Sequence, residues 1–399
     1  MEIKNKKAII IGCGVAGPTL AISLYRIGID SKIYESSKSS QSFGILSLTS
    51  NCIEVLKLLD VYDQLHADDS AKIIFYKQKG KKIAVMDFGN DIKKLNGEGA
   101  IIVKREELIQ KLIEKSVSNG TTVEFGKKLV DIIESENKVT AIFEDGTKEE
   151  GDFLIGCDGV HSNTRSITFP DAPSPTYTDT VIVGADISES IEHPLDTNAF
   201  HMIMGKQTYF GCTILSDNRV TWWTYIPFKE ELIKKELRIM SDKEMTKKLL
   251  KLHKDDYHVT SDFIKASNEK YVKIPIYEIP HLPTWHKNSI CLIGDAAHAI
   301  SPHIGQGASM AIEDAAILAK CIRDIQNLDS AFEKFERLRK KRVEKVIKLA
   351  SQNGRMLAVS NPIKRMFRGI MLSIMLKRSS VGPMGWLYSY KVNWDEKIK

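Results

Sequence analysis

The sequence predicts an α/β protein: a parallel sheet flanked by helices, interrupted by an inserted, mostly antiparallel sheet and followed by a helical C-terminal tail. Three observations predict it. Three apolar runs, Ala8–Ile11, Phe153–Ile155 and Ile290–Ile293, each lead into a turn of glycine and small residues, with Asp158 and Asp295 in the second and third. Between them, residues 71–100 and 171–275 lack helix-long apolar periodicity and alternate like strands. Past residue 355, apolar side chains recur at helical spacing.

Ala8–Ile11 carries no charge, as a strand buried on both faces requires. Gly12, Gly14 and Gly17 follow at the G-x-G-x-x-G spacing of a Rossmann-like unit. The first glycine permits the tight turn, the second lets backbone approach a pyrophosphate, and the third lets the helix pack close to the sheet. The helix N-terminus, at Val15 and Ala16, then offers free N–H groups to phosphates. Ala21, Leu24 and Tyr25 continue a helical face, and Gly28 is a natural stop. A second strand, Ser31–Tyr34, ends in Glu35, roughly 20 residues beyond the glycines, where a carboxylate can bind ribose hydroxyls. An acid there favours FAD or NAD over a cofactor with a 2′-phosphate. The competing reading is an ordinary glycine turn beside a surface glutamate.

Asp158 and Asp295 sit where buried strands end, the place at which ligands bind in open α/β sheets. Either can accept a hydrogen bond from a sugar or ribityl hydroxyl; the alternative is that each caps its own turn. The run Pro302-His303-Ile304-Gly305-Gln306-Gly307 opens a helix from Ala308 to Ile325 and can present N–H groups to a second anionic group.

Cofactor segments therefore fall at 1–70, 101–170 and 276–355, a substrate-binding insert at 71–100 and 171–275, and a helical tail at 356–399. Within the insert, strands are expected at Thr180–Asp186, Ala199–Met204, Thr208–Leu215 and Arg219–Ile226. If the last two pair through the Ser216–Asn218 turn, Gly211, Thr213, Trp223 and Tyr225 share a face and form a flat substrate-pocket wall. One of Trp222 and Trp223 must be core, since neighbours point to opposite faces. Only His201, Lys206 and Arg219 are cationic on these strands, which favours a neutral aromatic or polycyclic ligand over an anionic one.

Composition is that of a globular protein of more than one core: 399 residues, 43% hydrophobic and 27% charged. The net charge of +6 comes from Lys-rich helices such as Ser330–Lys348, where glutamates intersperse, so no nucleic-acid partner is expected. Ser330 and Glu333 form a capping-box pattern at its start. Six cysteines show no metal spacing, and no metal is expected. The N-terminus has no apolar leader before the first strand, so a cytoplasmic location is expected, as a monomer or homodimer. In the tail, Ile363, Met366, Phe367, Ile370, Met371 and Ile374 make a basic amphipathic stretch that can touch a membrane surface or, as favoured here, pack on the protein. Its uncharged core, Gly369–Leu376, is too short to span a bilayer. Pro383, Trp386 and Tyr388 suggest a docked end.

Together the three turns resemble those of the FAD-dependent aromatic hydroxylase family, the single-component flavoprotein monooxygenases. The resemblance covers roughly residues 7–355. It implies that Gly12, Gly14, Gly17 and Glu35 bind the ADP part of FAD, that Arg105 contacts FAD, and that the Leu129 backbone meets the adenine. It implies further that Asp158 and Gly159 serve FAD and NAD(P)H, that Asp295 binds the ribityl chain, and that Gly305 and Gly307 lie under the isoalloxazine ring, with Gln306 and Ala308 also binding the cofactor. NADH or NADPH would reduce FAD, O₂ would add at the flavin C4a, and the hydroperoxide would deliver one oxygen to the substrate. No acid–base triad is implied; His298 and His303 are the candidate proton carriers, His298 being read rather as bonding locally and His303, with Pro302, as a substrate contact. The chain departs from the family in having only Lys38 as a cation between Glu35 and Gly44, and a bulky Gly44-Ile45-Leu46-Ser47 loop. A non-oxygenating reductase or dehydrogenase shares the same turns. A flavin-dependent halogenase would show W-x-W-x-I-P, where this chain has Thr224 at the second tryptophan.

Overall fold

The computed structural model describes residues 6–40, 42–69, 72–229, 237, 239–357 and 381–398. The three apolar runs become the centre of a six-stranded sheet ordered His286–Lys287, Ile290–Leu292, Phe153–Gly156, Lys7–Ile11, Asp30–Glu35 and Thr122–Phe125. All neighbours are parallel except the short first pair. Ile10 lies between Ile155 and Ile33 in register, and all three are buried. The helices Ala16–Tyr25 and Gly307–Asp324 pack against each other on one face. A meander, Leu129–Glu134, Val139–Phe143 and Lys148–Gly151, lies on the other side, with Phe143 against Tyr34.

The insert is a seven-stranded sheet ordered Val272–Glu278, Thr176–Ile187, Val220–Pro227, Tyr209–Ile214, Ala199–Met204, Lys72–Lys77 and Lys82–Met86. Its pairs are antiparallel except Ala199–Met204 with Lys72–Lys77. The expected boundary at 275/276 falls inside Val272–Glu278, which pairs along Thr176–Ile187, so that strand belongs to the insert. The insert is also not free of helix. Asp242–Leu252 and His258–Ala266 cover its far face, burying Met245, Leu249, Phe263 and Ile264 against Trp222 and Phe210. Each is under twelve residues with a narrow apolar stripe, which sets no long periodicity. The Ser241…Glu244 capping box was nonetheless readable.

The helix expected from Ser330 begins at Leu328: the Asn327 side chain accepts from Ser330 N (2.9 Å), so the cap lies three residues upstream of the expected serine. Nor is this helix merely solvated. Its Arg339 is fully buried and donates to Glu313 and Asp314 on the neighbouring helix. Arg342 grips the same Glu313 and donates to the Leu387 carbonyl (2.9 Å), which docks the 381–398 segment. Val381, Leu387, Tyr388 and Val392 are buried in the main core. The amphipathic stretch 363–374 lies outside the described residues.

Burial pushes the Asp314 carboxyl up, but His298 and Arg339 more than reverse this and bring it to about 2. A depressed carboxyl contributes stability that is complete above its ordinary value and lost as pH falls through the folded one. Stability should therefore drop between about pH 4 and about pH 2, and Asp314→Asn should flatten part of that fall in denaturant titrations at stepped pH. Glu336, also brought to about 2, and other lowered carboxyls such as Glu149 and Asp324 keep the remainder. An unchanged slope in Asp314→Asn removes this carboxylate from the acid response.

Candidate functional site

The C-terminal ends of the central strands open onto a groove of two contiguous cavities, about 410 and 420 Å³, that share Gly14, Cys157 and Gly159. The first holds Glu35, Ser36, Lys127, Lys128, Leu129, Asp158, His161 and Asn163. The second runs from Val15 and Ala16 past Arg105 and Asp295 to Gly305, Gly307 and Ala308, and ends on Ile182, Phe200, Trp223, Tyr225 and Ile274 of the inserted sheet.

The glycines divide into two kinds. A Cβ on Gly12 would lie 2.4 Å from the Cys157 carbonyl oxygen, and one on Gly17 2.1 Å from that of Gly12. These two serve close packing. At Gly14, Gly159, Gly305 and Gly307 a Cβ would meet nothing within 4 Å. Those four face the groove with bare backbone, as a long cofactor lying against them requires. Both helices that start there, at Ala16 and Gly307, lack a side-chain cap and an acid in the first turn, so their N–H groups remain for a ligand.

Glu35 accepts from Cys13 N (2.8 Å) and Ser37 N (2.8 Å), which fixes its carboxylate at the mouth of the first cavity. Asp295 is exposed in the second, with no hydrogen-bond partner among the described residues. Asp158 differs. It accepts from Ser162 Oγ and from Thr164 N (2.9 Å) and Oγ1 (3.0 Å), which holds it against the first turn of the Asn163–Thr168 helix that Ser162 caps. Burial raises its pKa against those bonds. Asp158 lines the first cavity with a carboxylate that also holds the turn beside Gly159. The Leu129 carbonyl is likewise engaged by Asn163 Nδ2 (2.8 Å).

Gln306 does not face the groove. It is buried, donating to Thr49 Oγ1 (3.2 Å) and accepting from Asn51 Nδ2 (3.2 Å), and so anchors the Gly305–Gly307 loop from behind. Gly211 and Trp223 are directly opposite on paired strands, as the alternation implied. Trp223 and Tyr225 line the cleft, with Trp222 as the core partner. Gly211 and Thr213 do not line it. Gly211 lies under the Trp223 ring, and Thr213 is fully buried with its hydroxyl on the Ala199 carbonyl (3.1 Å). Pro302 lines the cleft, but His303 stands behind its wall. Its imidazole stacks on Tyr225 (centroids 4.8 Å apart) and meets the Tyr209 hydroxyl at 3.3 Å, and burial lowers its pKa. His298 bonds Asp314, as expected of a local role.

The sequence reading missed Phe43, Phe200, Ile182, Ile274 and Lys128, which line the groove from outside the three glycine turns, and Tyr34, which lies next to Glu35 on its strand. Among the described residues, Arg105 is the one cation on the second cavity. Among the described residues no three His, Cys, Asp or Glu side chains could hold a metal ion, and no helix is long and apolar enough to cross a membrane. Burial also pushes the Cys13 and Cys52 thiols up to about 12, so neither is a nucleophile at neutral pH.

The chain is 25% identical to 6-hydroxynicotinate 3-monooxygenase of Pseudomonas fluorescens over 88% of its own length and 91% of that protein. It is 25% identical to the chloroplastic zeaxanthin epoxidase of Oryza sativa subsp. japonica over 98% of its length, spanning only 59% of that longer protein. In fold it is similar to HpxO of Klebsiella pneumoniae, solved with FAD and uric acid (TM-score 0.82, 22% identity, 96% of each chain). The family described as FAD binding domain matches residues 5–350. That match takes in both the groove and the inserted sheet, and the chain belongs to the FAD-dependent aromatic hydroxylase family.

Proposed function

We propose that this protein is an FAD-dependent monooxygenase that uses NADH or NADPH and O₂ to hydroxylate a neutral aromatic or polycyclic compound. One observation carries the reading: a groove of bare-backbone glycines and uncapped helix N-termini continues directly into an aromatic-walled, almost uncharged pocket. Bound FAD supplies the electron transfer and the oxygen chemistry. The chain supplies position and dryness. Glu35 and the N–H groups at Val15 to Gly17 hold the adenosine and pyrophosphate, Asp295 the ribityl hydroxyls, and Gly305 to Ala308 the ring. Trp223 and Tyr225 then orient the substrate and exclude water. Oxygen uptake with NADH or NADPH against a panel of phenols, quinones and polycyclic antibiotics tests it. Hydroxylated product stoichiometric with O₂ is expected; reduced substrate without O₂ consumption would identify a reductase instead.

Asp295→Ala removes a charge-assisted bond, a loss that weakens FAD binding by about 10- to 100-fold. Asp295→Asn keeps one acceptor and should retain more flavin. Glu35→Ala should also weaken retention. Flavin absorbance per protein after gel filtration measures all three, and wild-type FAD content in Asp295→Ala would refute the ribityl assignment.

A further inference from the structure

One tryptophan on the cleft face of the inserted sheet stands between two glycines. Gly184, Trp223 and Gly211 are directly opposite one another on three adjacent strands. Side chains on a sheet ordinarily stand upright against cross-strand neighbours about 5 Å away. Here neither neighbour has one. A Cβ on Gly211 would lie 2.4 Å from Trp223 Cε2 and 2.5 Å from Cζ2, so the indole lies down across bare backbone. On the other flank, a Cβ on Gly184 would come 3.1 Å from Cζ of Phe43. That ring reaches over from the cofactor domain, just before Gly44 (φ 97°).

Both rings line the same cavity. Phe200 closes the end of the layer edge-on to Trp223, with centroids 6.2 Å apart at 73°. The hydroxyls nearest the layer are engaged elsewhere, Thr221 with Asp186 and Thr213 with the Ala199 carbonyl. The result is an aromatic floor built from more than one ring, with these neighbouring hydroxyls turned away from it. Such a face rewards offset stacking by a planar ligand, whereas a bulky aliphatic of equal size touches it at few points.

We propose that Phe43 and Trp223, seated on Gly184 and Gly211, form a planar floor that selects substrates with fused, coplanar rings, and that Gly211 is a specificity-determining residue. The inference rests on this cleft being the substrate site. Gly211 acts without touching substrate: it decides whether Trp223 shows the ligand its face or its edge.

The test uses oxidised holoprotein without electron donor. It compares the calorimetric affinity for β-naphthol with that for para-tert-butylphenol, which has the same number of carbons and one hydroxyl but is not flat. Wild type should bind β-naphthol about tenfold more tightly, the scale of one or two stacking contacts. Gly211→Ala should bring the ratio near one by lifting the indole, while FAD content and melting temperature stay near wild type. Should that variant misfold, Phe43→Leu removes the other ring without adding a clash and should also lower the ratio. Equal affinities in wild type, or a wild-type ratio retained by the folded variants, would overturn the floor. Failure of both phenols to bind FAD-loaded protein would overturn the substrate-site reading along with it.

Discussion

Arg339→Ala should destabilise the protein by about 3–5 kcal/mol, the loss typical when one partner of a buried ion pair is removed. The guanidinium is fully buried and divides its donors between Glu313 and Asp314, both also fully buried. Without it, Glu313 keeps Arg342, while Asp314 retains, among the described residues, only the Gly294 N–H (3.0 Å) and His298 as partners. Two carboxylates that face one arginine would then be left with too little positive charge. Arg339→Lys keeps the charge but cannot span both acids, so an intermediate loss is expected. Urea unfolding of the holoprotein measures both variants. A loss below about 1 kcal/mol in Arg339→Ala, the range of a surface pair, would mean that the network relaxes around the gap. Because Gly294 and Asp295 adjoin Asp314 through that N–H bond, flavin content should fall along with stability.

The adjacent tryptophans should respond in opposite ways. Trp222 is fully buried, stacks on Phe210 (5.1 Å, 16°) and donates to Ser267 Oγ (2.9 Å). Trp222→Ala should therefore cost about 3–5 kcal/mol, with little distinct effect on substrate use in whatever protein folds. Trp223→Ala should melt near wild type and keep FAD, yet raise the apparent KM about tenfold, the scale of lost stacking plus buried area. It should also release more H₂O₂ per NAD(P)H, because a substrate held loosely misses the transfer geometry. Melting temperature, flavin content and peroxide yield separate the two. A Trp223→Ala protein with wild-type KM and coupling would take this ring out of the substrate site.

Strand alternation alone distinguished these two residues as core and cleft, and neighbouring strands in register settled which was which. The same legibility held for the three glycine turns, because their geometry is written in residues a few positions apart. What alternation could not show was depth. Thr213 is on the cleft face, yet its hydroxyl is drawn to the Ala199 carbonyl and the residue is buried. Gln306 sits inside the motif but points to Thr49 and Asn51, more than 250 positions away. Arg339 looked like one more cation on a Lys-rich helix, since its two acids lie on another helix and nothing local marks it as buried. Phe43 gave no signal, because its seat at Gly184 comes from a different domain.

Cys157 borders both cavities and is nearly buried. Burial, reinforced by the charges of Asp158 and Asp314, raises its thiol well above the ordinary value. Reaction with peroxide needs the thiolate, so a thiol kept protonated oxidises slowly. If the groove handles oxygen as proposed, each uncoupled turnover releases an oxidant into the groove that this sulfur borders. The desolvation that packs the strand end then doubles as protection against self-inflicted damage, and a variant that leaks peroxide need not lose its own cysteine in the process.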